Sequence, residues 1–508
     1  MSGQQQEVVR FLTGGALGGS VERIDTHGAI VLLAGERAWK LKRAVRFSFM
    51  DFSTLERREA ALRAELALNR RTAPTLYRRV LAVTREPEGG RLALAGAGEP
   101  VEWLLEMARF PAEAQLDRVA ERGGLDAALA EALALTVQRF HEAAERRPDL
   151  GGLAGMAEVV EGNAGDLAGL APAVLDRPAV AALNTATRAE LQRRAELLEA
   201  RRRAGLVRHC HGDLHLANIV LLEGRPVLFD CIEFDERIAC CDVLYDLAFL
   251  IMDLVERQLS AQAWALLQAY HECLGEDAGL ALLPLFVSVR AAVRAKISGF
   301  GAAVLEGEAR AAKVAAARGY LDLAALALKP APPRLLAVGG RSGAGKTSVA
   351  RALAPALGAM PGASLLRTDV VRKRLLGRPP SERLPPAAYT PEVSAQVFAT
   401  VAERARVLLT AGRTVIADGV YGEPAQRHGI EAVAAGQGVP FRAVWLEAPA
   451  ATLEERVAAR RGDASDADVA VVRRQAEGVD ESLVAWPRVA AGGGSAEVAA
   501  AVRRVWES

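Results

Sequence analysis

The run His211-Gly212-Asp213-Leu214-His215-Leu216-Ala217-Asn218 sets a carboxylate five residues ahead of a carboxamide, and a second acid, Asp230, follows the apolar runs 219–222 and 227–229. Asp213 can accept the proton of an incoming hydroxyl, while Asn218 and Asp230 can bind the metal ions that bridge the phosphates of ATP. A polar turn can produce His-Gly-Asp by chance. The whole set, bracketed by strand-like segments, argues for phosphoryl transfer.

A second constellation lies farther along the chain. Gly340-Arg341-Ser342-Gly343-Ala344-Gly345-Lys346-Thr347-Ser348 fits GxxxxGKT and sits between the apolar run 335–338 and a helical run that starts at Lys346. That context is what the motif requires: glycines let the backbone wrap phosphate oxygens, a helix N-terminus presents free amides, Lys346 reaches the β- and γ-phosphates and Thr347 ligates Mg²⁺. Asp369 follows the run 364–366, with Arg372, Lys373 and Arg374 behind it. A carboxylate at the carboxyl end of a parallel strand can deprotonate an acceptor hydroxyl, and basic neighbours can hold an anionic acceptor. Thr414-Val415-Ile416-Ala417-Asp418 reads as a strand ending in a metal-binding acid of the Walker B kind. Arg456 and Arg460 recur at helical spacing ahead of a polar loop at 462–468, as expected of a lid that neutralises the transferring phosphoryl group.

Residues 334–490 thus resemble the P-loop kinases of small metabolites, including gluconate-kinase-like, chloramphenicol-phosphotransferase-like and zeta-toxin-like proteins. Residues 20–325, through His211–Asn218 and Asp230, resemble the aminoglycoside/choline-kinase-like branch of the protein-kinase fold. That resemblance implies Asp213 as catalytic base, Asn218 and Asp230 as metal ligands, and His211 and Asp246 as supports of the loop. It also implies a strand lysine for the α- and β-phosphates, with a helix glutamate to orient it. Lys40 and Lys42 project from the same face of one strand and Glu65 lies on the following helix, so both lysines are candidates, Lys42 being preferred. Residues 102–107 are the expected adenine hinge. The chain departs from protein kinases in having one glycine at 26–28 in place of GxGxxG, and Cys231-Ile232-Glu233 in place of Phe-Gly after Asp230.

The elements that must position these groups are legible in outline. The first forty-odd residues read as alternating apolar runs and turns, hairpin-like over 29–42, residues 52–71 are helical until Pro74, and residues 101–107 form a strand. Long helices follow at 125–145 and 189–203, then a strand-loop-strand region over 207–229. The prolines of 329–333 cannot continue a helix, and beyond them strands alternate with helices, which predicts a parallel sheet. The expected organisation is an α+β, two-lobed protein-kinase-like domain over 1–328, a Pro-rich linker at 329–333, and an α/β P-loop domain over 334–508.

The composition excludes little else. Its 508 residues exceed one ordinary core. Sixty-three basic and 62 acidic residues leave a net charge of +1, which offers no global field for nucleic acid or an anionic membrane. Five cysteines, an odd number without zinc or redox spacing, read as reduced thiols. The N-terminus lacks the pattern of a secretory signal, and no apolar run reaches bilayer length without interruption by charge, so a cytoplasmic protein is expected. The expected function is a fused kinase using ATP and Mg²⁺ on small-molecule hydroxyl acceptors, with no nucleic-acid or membrane partner. The alternative is a P-loop kinase or ATPase regulated by a ligand-binding N-terminal kinase-like domain.

Overall fold

The structure, a computed structural model, describes residues 3–47, 50–379, 382–459 and 464–508. The chain forms two compact units that do not follow chain order: Met1–Glu256 with Val289–Tyr320, and Arg257–Ser288 with Leu321–Ser508. Division at the prolines instead assigns 257–288 and 321–328 to the first domain.

The first unit opens with helix Gly3–Phe11, which the strand-and-turn reading of the N-terminal segment did not anticipate. Its Val8 and Val9 pack on an antiparallel sheet, and its buried Gln5 donates from Nε2 to the Lys42 carbonyl and to Glu102 Oε2, each at 2.8 Å. The strands are β1 (Val21–Asp25), β2 (Ala29–Ala34), β3 (Arg37–Lys42), β4 (Tyr77–Arg85), β5 (Leu92–Leu94) and β6 (Glu99–Ala108), in spatial order β1-β2-β3-β6-β4-β5. Side chains alternate across a strand. Trp39 and Leu41 of β3 therefore join Ile30, Leu32 and Leu104 on the face of the N-terminal helix. Lys40 and Lys42 turn to the other face, toward helix Leu55–Asn69, whose N-cap Thr54 accepts the Arg57 amide at 3.3 Å.

The rest of this unit is mainly helical, including Ala127–Ala143, Gly152–Leu170 and Val243–Glu256. The expected helix at 189–203 is two helices, Arg177–Arg193 and Ala195–Arg203, which meet where Arg194 leaves helical geometry at φ −99°, ψ 5°. The segment that carries the candidate catalytic residues runs from β7 (Val207–His209) into the hairpin of β8 (Ile219–Leu222) and β9 (Arg225–Leu228), and β10 (Cys240–Asp242) pairs back on β7.

In the second unit β11 (Leu335–Gly340), β12 (Ser364–Arg367), β13 (Val415–Asp418), β14 (Phe441–Glu447) and β15 (Arg488–Ala490) form a sheet in the order β12-β13-β11-β14-β15. All neighbours are parallel. Strands β11, β12 and β13 are buried throughout, as in a sheet covered on both faces. Strand β15 was not anticipated. Helix Ser260–Leu274 covers edge strand β12: Gln268 donates to the Leu365 carbonyl and accepts its amide, and Trp264 Nε1 donates to the Ala363 carbonyl. One stretch, Ala278–Ala303, is long and apolar enough to cross a bilayer by length and composition, but it is interrupted by Arg290, Arg294 and Lys296, and 78% of its most apolar window is buried, as in a core helix.

Candidate active sites

In the first unit the segment after β7 carries Asp213 on a loop whose backbone is held from below. Asp246, the fourth residue of helix Val243–Glu256, is fully buried and accepts the amides of His211 (3.0 Å) and Gly212 (2.9 Å). His141 Nε2 lies 3.1 Å from the same carboxylate. Burial pushes the Asp246 pKa up, but the hydrogen bond from His141 and the charges around it outweigh that and leave it at about 2. Buried Arg290 donates to the Gly212 carbonyl at 3.0 Å and stacks 3.8 Å from the Tyr245 ring centroid. His211 Nε2 lies 2.8 Å from the Phe229 carbonyl oxygen. His211 and Asp246 thus sit where the resemblance expected supports of the loop.

Above that platform the candidate catalytic groups converge. Asn218 Nδ2 donates to both the carbonyl (2.9 Å) and Oδ2 (3.0 Å) of Asp213. His215 Nε2 is 3.4 Å from Asp213 Oδ2. Desolvation raises the Asp213 pKa, but His215 first, then His211 and Arg290, hold the carboxyl well below the usual range. Lys40 Nζ bridges Glu65 Oε1 (2.7 Å) and Asp230 Oδ1 (2.6 Å). Lys42 Nζ takes the other oxygen of Glu65 (2.6 Å) and Glu233 Oε1 (2.5 Å). Desolvation likewise raises the Asp230 pKa and Lys40 more than reverses it.

Both lysines therefore reach Glu65, and Lys40 is the one that also reaches Asp230. Lys42 is 4% exposed and ends in an internal pair, so the geometry favours Lys40, the reverse of the sequence preference. The hinge expectation is corrected too. Residues 102–107 lie inside the sheet, with β6 paired to β3 and β4, so their backbone groups serve the ladder. The connection that leaves the sheet begins after Ala108.

In the second unit Gly340 and Gly343 have φ of +135° and +86°, and a Cβ at either would come within 2.6 Å of a backbone carbonyl oxygen, of Leu446 or Leu453. Only glycine fits there. The loop turns into helix Lys346–Leu353, with Gly345 at its N-cap. Lys346 Nζ donates to the Arg341 carbonyl at 3.1 Å. Thr347 Oγ1 donates to Asp418 Oδ2 at 2.5 Å, and burial pushes the Asp418 pKa up against the pull of Lys346 and Arg367. Ser342 donates its amide to Gln475 Oε1 at 2.8 Å, and Arg341 pairs with Glu481 at 2.8 Å.

One cavity of about 1260 Å³ is lined by Ser342–Val349 together with Asp369, Arg372, Tyr389, Asp418 and Arg456. Asp369 opens helix Thr368–Leu375 at the end of β12. The three basic residues behind it separate. Arg372 lines the cavity over the Tyr389 ring and donates to the Ala388 carbonyl at 2.8 Å. Lys373 is buried against Asp466 at 3.0 Å. Arg374 donates to the carbonyls of Glu272 and Leu274 and does not line the cavity, which corrects its expected place among acceptor-holding groups. Arg456 donates to the carbonyls of Ala491, Gly492 and Gly493. Arg460 lies outside the described residues.

Sequence reading missed His141, Glu233 and Arg290 in the first unit and Gln475 and Glu481 in the second. Arg290 left a trace, the first of three basic residues within the apolar run 279–298.

A model of the phosphotransferase enzyme family matches residues 34–283, and an AAA domain model matches residues 335–481. Uncharacterized proteins of Mycobacterium tuberculosis and Mycobacterium bovis are each 30% identical over 466 residues, covering 89% of this chain and 90% of the relative. Among solved structures, the chain is similar to a choline/ethanolamine kinase family protein from Mesorhizobium loti at 13% identity and TM-score 0.37, covering 64% of this chain and 99% of that one. It is also similar to a gluconokinase from Sinorhizobium meliloti 1021 at 23% identity and TM-score 0.26, covering 35% of this chain and 95% of that one. Matched along most of its length, the chain belongs to one family with these mycobacterial proteins, and within it residues 34–283 match the phosphotransferase enzyme family and residues 335–481 an AAA domain.

Proposed function

We propose that this phosphotransferase works at two separate sites, each transferring the γ-phosphoryl group of Mg·ATP to a hydroxyl of a small molecule. The observation that carries the reading is the Lys40 ammonium, which bridges Glu65 at 2.7 Å and Asp230 at 2.6 Å and so ties the candidate phosphate-binding lysine to a candidate metal ligand. In the first site Asp213, ionised and held by Asn218, takes the proton of the acceptor hydroxyl as it attacks. Lys40, oriented by Glu65, balances phosphate charge.

The donor sets fit a hard cation. Asn218 and Asp230 offer oxygens in the first site, and Thr347 and Asp418 do so in the second. Bound there, Mg²⁺ neutralises charge on the phosphates. In the second site Lys346 and the amides at the start of its helix receive the phosphates, Asp369 deprotonates the acceptor, and Arg372 lies one helical turn from Asp369 on the same cavity wall.

The test is ADP release from Mg·ATP on a panel of sugars, aminocyclitols and nucleosides. Stimulation by a defined alcohol, with a phosphorylated product, supports the reading. ADP release that no alcohol changes argues for an ATPase.

A further inference from the structure

Residues 229–232 present four consecutive backbone amides, and all four have partners. Phe229 donates to the Asn218 carbonyl (3.0 Å) and Ile232 to the His211 carbonyl (3.0 Å), both within the catalytic segment. The two between them are received by side chains from the other lobe. Asp230 donates to Tyr77 Oη (3.1 Å) at the start of β4, and Cys231 donates to Asn69 Oδ1 (2.9 Å) at the end of helix Leu55–Asn69. Tyr77 is 2% exposed and Asn69 is 0% exposed, so water does not replace them. Asn69 Nδ2 donates to the Glu65 carbonyl at 2.9 Å, which fixes the orientation of its amide.

The residue gripped in this way is in an uncommon state. Asp230 has φ +62°, a left-handed conformation that a non-glycine side chain keeps only when its surroundings over-determine it. From that conformation its carboxylate meets Lys40. The same helix that supplies Glu65 to Lys40 supplies Asn69 to the neighbouring amide, so one element sets both sides of the Lys40–Asp230 contact.

We propose that Tyr77 and Asn69 are positioning residues that hold Asp230 in its left-handed conformation and aim its carboxylate at the metal and phosphates. The inference rests on the reading of Asp230 as a metal ligand. A side chain that orients a ligand changes metal affinity without touching the metal, and removing such a support typically lowers affinity about 10- to 100-fold.

The experiment is Mn²⁺ titration by electron paramagnetic resonance with a non-hydrolysable ATP analogue. It uses the full-length chain carrying Lys346→Ala, so that the first site dominates. Tyr77→Phe keeps the ring and deletes the acceptor; Asn69→Ala is the second variant should the first lose its fold. Each is expected to weaken Mn²⁺ binding about 10-fold, and a double-mutant cycle separates positioning from a general loss of structure. In an Asp230→Ala background the same substitutions are expected to change affinity less than about two-fold, because no carboxylate remains to aim. An equal loss in both backgrounds, or wild-type affinity in both single variants, overturns the positioning role alone. If Asp230→Ala itself binds Mn²⁺ as the wild type does, the reading of Asp230 falls and takes this inference with it.

Discussion

The two candidate sites solve the same problem with different materials. In the first, two lysines, Lys40 and Lys42, pair with three acids, Glu65, Asp230 and Glu233, across two lobes, and the residues concerned are spread over nearly 200 positions. In the second, a single strand-loop-helix segment supplies the candidate phosphate cradle, and its shape depends on glycines at positive φ. A network of buried charge fails when one member is lost, because the partner remains buried and unpaired. A backbone cradle tolerates changes around it and depends on the few positions where a side chain cannot fit.

The largest expected effects test whether the sites are independent. Asp213→Ala is expected to lower first-site turnover about 10²- to 10⁴-fold, the usual contribution of a general base, and to leave second-site product formation unchanged. Asp369→Asn should do the reverse. Initial rates for each phosphorylated product measure both; loss of one product in both variants merges the sites and breaks the comparison.

The two lysines sharpen it next. Lys40→Met is expected to cost about 10²- to 10³-fold in first-site turnover, the scale of losing one preorganised charge partner. Lys42→Met leaves Glu233 without its buried partner and Glu65 with Lys40 alone, and is expected to lower stability by about 3–5 kcal/mol, read by denaturant unfolding. The opposite assignment of effects would restore Lys42 as the phosphate lysine.

Acid should act on the first unit through its loop support. The Asp246 pKa is about 2 in the fold against an ordinary 3.8, so its contribution is present above about pH 4 and is lost as pH falls from 4 toward 2. A shift of that size corresponds to about 2 kcal/mol, and Asp246→Asn is expected to flatten the pH dependence of stability in that window.

The smallest contrast lies on one helix of the second unit. Arg372→Ala removes a guanidinium that lines the cavity and is expected to cut acceptor turnover about 10-fold or more. Arg374→Ala removes contacts to the last carbonyls of helix Ser260–Leu274 and is expected to cost about 0.5–1 kcal/mol of stability with little change in turnover. Steady-state kinetics and thermal unfolding of the pair decide it.

How far the sequence could be read follows the same division. The shape of the candidate phosphate loop was legible because it resides in contiguous backbone, and the grouping of Asp213, Asn218 and Asp230 was legible because a hairpin brings near neighbours together. The choice between Lys40 and Lys42 was not. Strand alternation gives the face of a side chain but not which of two neighbours on that face meets a distant acid, and both reach one glutamate. Tyr77 and Asn69 were invisible for a further reason: they act on backbone amides 153 and 162 residues away, and no local pattern records such a contact. Arg374 was misplaced because the helix Ser260–Leu274 that takes its guanidinium comes from the middle of the chain and packs with the second unit.

The most direct test of the central claim is mass identification of every product formed from Mg·ATP and the alcohol panel by the wild type, Asp213→Ala and Lys346→Ala. Two active sites predict that each variant loses a different phosphorylated product and keeps the other. If Lys346→Ala abolishes all turnover and Asp213→Ala loses nothing, the first unit is not a second kinase but a candidate regulator of the P-loop site.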